Sequence, residues 1–212
     1  MINLEQNKKL YLDLVSQINR PGIDKLIEYL TESDFFTAPA STKFHLNTKG
    51  GLCQHSLNVY NNLIDLINIY GKDNRNLVEF DKESIIIVAL FHDLAKVNFY
   101  EEYIKNEKQY FENGKYDWVA VPAYRLRDNF TRENVFHSHE VNSYMVVNRY
   151  IKLTEEEAVA IMNHHAVFDN GNARLDISEV YNRYPLATLL HTADTLATYL
   201  DENPYQQYES DN

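Results

Sequence analysis

The chain has 212 residues, a hydrophobic fraction of 44% and a formal net charge of −11. That length suits one sizeable core and is short for two, and the hydrophobic fraction excludes wholesale disorder. The acidic balance repels nucleic-acid backbones, which argues against tight duplex binding but leaves a small phosphorylated ligand open. No apolar run approaches a membrane span, and Met1-Ile2-Asn3-Leu4-Glu5-Gln6 lacks a signal-peptide pattern. With one cysteine, Cys53, there is no internal disulfide framework, so a reducing cytoplasm is the expected location.

In chain order, residues 4–19 have helical periodicity, with Leu10, Leu14 and Ile18 at four-residue steps and Pro21-Gly22 as the stop. A second, short helix is expected over 23–30. Residues 33–49 read as a loop that Phe35-Phe36 packs onto the core. Gly50-Gly51 introduces a long helix with an apolar stripe of Leu52, Val59, Leu63, Ile67 and Tyr70, ending at Gly71. His55 lies one turn into it, at the margin of the stripe.

Seven apolar residues, Ile85 to Phe91, then run unbroken into His92-Asp93, with Lys96 three positions on. A segment apolar on every face is a helix buried all round or a buried strand. Asp81 as N-cap and Glu83 in the first turn favour the helix. His92 and Asp93 then end that helix inside the protein, where a buried ionisable pair needs compensation, commonly a metal ion. A core histidine beside a capping aspartate is the plainer alternative.

Aromatic-rich flanks around Asn113-Gly114 predict a small β-hairpin near 108–121 with a type I′ turn. Tyr103, Tyr110, Phe111, Tyr116 and Trp118 read as hairpin packing rather than a base-stacking platform. Residues 122–134 read as a loop carrying Arg125, Arg127 and Arg132. A helix is expected over 139–151. Thr154 and Glu157 form a capping box for another through His164-His165. Residues 168–182 read as a loop, Pro185 starts a last helix to residue 200, and the tail from Glu202 reads as polar and frayed. The expected fold is mainly α: one compact helical domain with a hairpin insertion, residues 1–48 packing on a core of 49–201.

His55, His92, Asp93, His139, His164, His165 and Asp194 all fall on these helices or at their ends. One shared site with imidazole and carboxylate ligands explains that placement more simply than separate core histidines. Such ligands suit Mn, Fe, Co, Ni or Zn, or Mg where fewer imidazoles bind, and the lack of a second cysteine excludes a thiolate zinc site. His137 is an alternative to His139. His191, three residues before Asp194, is either an orienting partner of the site or a satisfied core histidine. His45 lies in the loop before Gly50-Gly51, and Gly51 could let backbone N–H groups approach a phosphate at the helix start. Arg125 and Arg127 are candidate contacts to a second phosphate or a base.

The order His55, His92-Asp93 and distal Asp194 resembles the HD-domain metal-dependent phosphohydrolases. Lys96, His139 and His164-His165 resemble the extended pattern of members with two metals, such as HD-GYP cyclic-dinucleotide phosphodiesterases and small diadenosine-tetraphosphate hydrolases. The match runs from about residue 50 to 200. The Gly-Tyr-Pro signature is missing after the paired histidines, where Ala166-Val167-Phe168-Asp169-Asn170-Gly171 stands. The resemblance implies one or two divalent ions. His55, His92, Asp93 and Asp194 would hold the first, and His139, His164 and His165 the second, bridged by Asp93. A metal-activated hydroxide would cleave a phosphoester of a nucleotide, dinucleotide or short oligonucleotide, with Lys96 offsetting transition-state charge. Two further readings of the same ligands are a di-iron oxygenase of the superfamily and a non-catalytic nucleotide sensor.

Overall fold

The computed structural model describes residues 2–72, 79–111, 113–127, 138–165 and 177–202. Helices α1 (Leu4–Val15) and α2 (Ile23–Glu32) precede the long α3 (Gly51–Lys72) and the apolar α4 (Lys82–Phe91). A 3-10 turn, Leu94–Lys96, leads into an antiparallel pair, β1 (Tyr100–Tyr110) and β2 (Tyr116–Leu126). Then come α5 (His139–Asn148), α6 (Glu155–Met162), α7 (Ile177–Arg183) and α8 (Pro185–Leu196), the last extended by a π-helical turn, Ala197–Asp201. The protein is mainly helical with one two-stranded hairpin, as its patterning predicts. No helix among the described residues is long and apolar enough to cross a membrane.

The run Ile85 to Phe91 is a helix buried on every side because α4 separates two hydrophobic clusters. Ile86, Ile87, Leu90 and Phe91 pack with Tyr11, Val15, Leu26, Leu30, Phe35 and Leu52. Ile85, Val88 and Ala89 pack with Val59 and Leu63 of α3, Ala160 and Ile161 of α6, and Leu186 and Leu190 of α8. At about 1.5–3 kcal/mol per large apolar side chain, α4 contributes on the order of 10 kcal/mol of burial. That margin lets it carry polar residues into the interior at its end. The Asp81 side chain accepts from the Glu83 N–H and caps the start. At the buried end, Tyr11 Oη donates to the Leu90 carbonyl at 2.8 Å and His92 Nδ1 to the Ala89 carbonyl at 2.9 Å. Both carbonyls lack helical partners, so these bonds remove a desolvation cost.

Several local expectations shift. In α1 the buried face is Asn7, Tyr11 and Val15, and Leu10 is exposed, because the Tyr11 hydroxyl is needed at Leu90. Helix α3 runs through Gly71 to Lys72 rather than stopping at the glycine. The hairpin is longer than 108–121, pairing Tyr100 with Leu126 through to Tyr110 with Tyr116, so Arg125 lies in a strand and not a loop. Its turn is not the two-residue type I′. Phe111 N–H donates to the Lys115 carbonyl and Gly114 N–H to the Phe111 carbonyl, so Phe111 and Lys115 close the loop, and Gly114 has φ 76°. The aromatic side chains do pack within the hairpin, Tyr116 lying 5.7 Å from Tyr110 and 6.4 Å from Trp118 between ring centroids.

Part of the segment expected as a loop over 168–182 is helical, as α7. Tyr181 Oη donates to the Asn163 carbonyl, and no residue of α7 is buried, so its pattern carried no apolar stripe. Residues 166–176, with Arg132 and His137, lie outside the described residues. Glu202, expected to open a polar, frayed tail, is instead buried, and its N–H donates to the Ala197 carbonyl.

Candidate metal centre

Two histidines are aimed by the helix ends that carry them. His92 follows α4 and His164 follows α6, and each Nδ1 donates to the carbonyl three residues earlier, Ala89 at 2.9 Å and Ile161 at 2.7 Å. With Nδ1 protonated, Nε2 keeps its lone pair and points inward. Two others are aimed by carboxylates. His55 Nδ1 donates to both oxygens of Glu202 at 3.1 Å, and His165 Nδ1 to Glu140 Oε1 at 3.1 Å. His139 Nδ1 also lies within 3.5 Å of Glu140.

The five Nε2 atoms converge on two aspartates. His55 Nε2 is 3.1 Å from Asp194 Oδ1, 3.6 Å from Asp93 Oδ2 and 3.3 Å from His92 Nε2. His92 Nε2 is 3.5 Å from Asp93 Oδ2. On the other oxygen of the same carboxylate, His139 Nε2 and His164 Nε2 each lie 3.8 Å from Asp93 Oδ1. His165 Nε2 is 3.2 Å from Asp194 Oδ2. Asp93 therefore stands between two sets of donors. His55, His92 and Asp194 form one group close enough to share an ion, and His139, His164 and His165 form another. Asp93 Oδ1, His139 Nε2 and His164 Nε2 are buried without a hydrogen-bond partner. Buried polar atoms left in that state are costly unless a ligand uses them. The donor set fits a divalent ion.

Charge leads to the same fit. Asp93, Glu140, Asp194 and Glu202 are all buried in this cluster, with Lys96 the lysine among them, its Nζ 2.6 Å from Asp93 Oδ2. Burial opposes a charge on His55, yet its hydrogen bonds to Asp194 and Glu202 push its pKa up to about 10. His165 is pushed up to about 9, against burial, by Asp194 and Glu140. His164, with no carboxylate on Nδ1, is lowered by burial. The surplus of buried carboxylates thus draws in positive charge, which a divalent ion supplies.

A cavity of about 660 Å³ opens from this cluster between Lys96, Tyr100, His139, Asn142, Arg149 and His165. A second, of about 340 Å³, opens between His45, His165, His191, Asp194, Thr198 and Tyr199. Three proposed substrate contacts fall elsewhere. Gly51 is buried, its N–H donates to the Thr48 carbonyl at 3.0 Å, and a Cβ there would lie 2.1 Å from the Leu46 carbonyl oxygen. It serves close packing of the loop on α3. Arg125 Nε pairs with Glu101 at 2.7 Å, and Arg127 binds Asp34 at 3.1 Å and the Tyr100 carbonyl at 2.8 Å, fastening the hairpin base. Neither lines these two cavities. His191 Nδ1 donates to the His164 carbonyl at 2.7 Å, so it steadies the turn that bears two of the imidazoles.

Sequence reasoning missed Glu140, Glu202, Arg149 and the placement of His45. Glu140 directly follows His139, a local signal that was there to use. Glu202 meets His55 across 147 residues, and no local pattern announces that pairing.

A helical body gathers buried imidazoles and carboxylates at its helix ends, a donor set suited to a divalent metal. The family model described as HD domain matches residues 52–199, and the chain belongs to the HD domain family. HD domains bind divalent metals. No curated protein and no solved structure gives a significant match to the chain.

Proposed function

We propose that the protein is a metal-dependent phosphohydrolase that cleaves a phosphoester of a nucleotide, dinucleotide or short oligonucleotide. The observation that carries this reading is the division of Asp93, whose Oδ2 faces His55, His92 and Lys96 while Oδ1 faces His139 and His164. A carboxylate shared between two donor sets is what a two-ion site requires. His55, His92, Asp93 and Asp194 would hold one divalent ion, and His139, His164 and His165 a second, with Asp93 common to both. Once bound, such ions would lower the pKa of a water enough to supply a hydroxide nucleophile and would draw charge off the phosphoryl oxygens.

The chain's own residues supply the rest. Lys96 lines the larger cavity, and burial of its ammonium is more than offset by Asp93, which raises its pKa. It remains charged and lies where charge builds on a transferred phosphoryl group. Burial of the walls around Asp93 excludes bulk water and strengthens that attraction. Arg149 and Tyr100, on the same cavity, offer a cation and a ring to the remainder of a nucleotide.

Elemental analysis after Mn or Fe loading tests the reading. The wild type should bind one to two equivalents, and His139→Ala should lose one while keeping its helical circular dichroism. Phosphate or nucleoside release from nucleotides and dinucleotides should then fall by about 10²-fold, the usual loss for one strong electrostatic stabiliser. No bound metal in the loaded wild type would refute the proposal.

A further inference from the structure

We infer that the substrate is a phosphodiester with a nucleoside-sized group on each side of the phosphorus, the second group occupying the cavity beside His45. This rests on the hydrolase reading and narrows it. The candidate centre borders two cavities: Lys96 and His139 line the larger, His45 and Asp194 the smaller, and His165 lines both. A phosphomonoester presents one organic group and, besides it, needs room only for a water of about 30 Å³. The smaller cavity holds about 340 Å³, within the range of ligand pockets. It is too large for a water niche.

Its lining is also built for a ligand. Phe44 and Tyr199 stand at its rim with 76% and 66% of their surface exposed, although each is large and apolar. Nothing in the two hydrophobic clusters uses either ring. Rings in that position offer faces to a base, and base stacking tolerates any base. His45 is largely enclosed, and its ring turns toward the cluster, with Nε2 3.9 Å from Glu202 Oε2 and the ring 5.0 Å from that of His55. The loop before it is fixed by Ser41, whose Oγ donates to the His45 carbonyl at 2.9 Å and accepts from the Phe44 N–H at 2.9 Å. Thr195 and Thr198 add hydroxyls. Hydroxyls beside two rings match a sugar and base.

In the reaction so defined, the oxygen of water forms a new bond to phosphorus and one ester P–O bond breaks. The departing alkoxide takes up a proton, leaving a phosphomonoester and an alcohol. Attack is in line with the departing oxygen, so water stands opposite the group that leaves, while the retained group projects to the side of that axis and is free to enter the other cavity.

The test compares thymidine 5′-(p-nitrophenyl phosphate), a diester, with p-nitrophenyl phosphate on the Mn-loaded chain, reading nitrophenolate. Binding of a dithymidine phosphorothioate and of thymidine 5′-phosphorothioate is measured beside it by calorimetry. The diester should exceed the monoester in kcat/KM by about tenfold or more, the scale of one lost base contact. Thr198→Trp, which fills the smaller cavity, should cut kcat/KM for the diester about tenfold more than for the monoester. The surface variant Phe44→Ala/Tyr199→Ala should weaken the dinucleotide about tenfold more than the mononucleotide. A preference for the monoester, or diester turnover and dinucleotide affinity unchanged in both variants, overturns the inference while the hydrolase reading stands. If neither ester is cleaved by metal-loaded protein, the hydrolase reading fails, and the binding comparison alone decides the second cavity.

Discussion

Each imidazole of the cluster owes its direction to the group that holds its Nδ1. For His92 and His164 that group is a carbonyl released by a helix end; for His55 and His165 it is a buried carboxylate. The carboxylate-held pair is the more basic, so Glu202 tunes His55 as well as pointing it. Asn58 Nδ2 in turn donates to Glu202 Oε1 at 2.8 Å, and the chain continues through Gln54 to Asn7. Glu202→Gln keeps the shape and an acceptor but removes the charge. It should lower metal affinity by about 10–100-fold, the usual effect of losing such a partner. Competition against a chelating dye measures this, and melting of the metal-free protein serves as control. A fall in melting temperature with unchanged affinity would mean that Glu202 only packs the C-terminal turn.

Among the elements, α6 is the one whose position most depends on charge. Its capping box is complete: Thr154 Oγ1 accepts from Glu157 N–H, and Glu157 Oε2 from Thr154 N–H at 2.8 Å. The same carboxylate, fully buried, takes two hydrogen bonds of 2.6 Å from Arg20 and one of 2.6 Å from Ser84 of α4. It binds the segment before α2, α4 and α6 together, and so sets where His164 and His165 emerge. Burial raises the Glu157 pKa, but the Arg20 and Ser84 hydrogen bonds outweigh it and the net shift is downward. A pKa lower in the folded than the unfolded state adds stability that is fully present above the unfolded value, about 4.3 for glutamate. That stability is lost as pH falls through the folded value. Urea midpoints of the wild type should therefore drop as pH falls below about 5, and those of Glu157→Gln should drop less. At pH 7 the variant should be less stable by about 3 kcal/mol, because Arg20 stays largely buried without its counter-charge. Parallel pH profiles for the two proteins would rule this out.

Taken as a whole, the molecule gathers four carboxylates and their imidazoles where α3, α4, α5, α6 and α8 meet. A fold that buries that much charge is linked to whatever compensates it. Removing metal with a chelator should lower the melting temperature. A ligand held at about a hundred times its Kd adds about 2.7 kcal/mol, or about 5–10 °C for a chain of this size. Scanning calorimetry before and after EDTA, with elemental analysis of both samples, checks it. An unchanged melt in protein shown to have lost its metal would mean that the charge is balanced by protons and Lys96 alone.

Local pattern was enough for the helical class, the buried α4 and the capping box of α6. Each depends on residues within a turn or two of one another, as when an apolar run ends in His92-Asp93 or a helix stops at Met162 just before His164. The HD family match over residues 52–199 agrees with that reading. What tertiary structure alone decided is pairing at a distance. It turned α1 so that Tyr11 rather than Leu10 faces inward, tied Arg125 and Arg127 to the hairpin base, and brought Glu202 from the end of the described chain to His55. A carboxylate reads the same in sequence whether solvated or buried. Its role is set by the partner that desolvates with it, and that partner can lie 147 residues away.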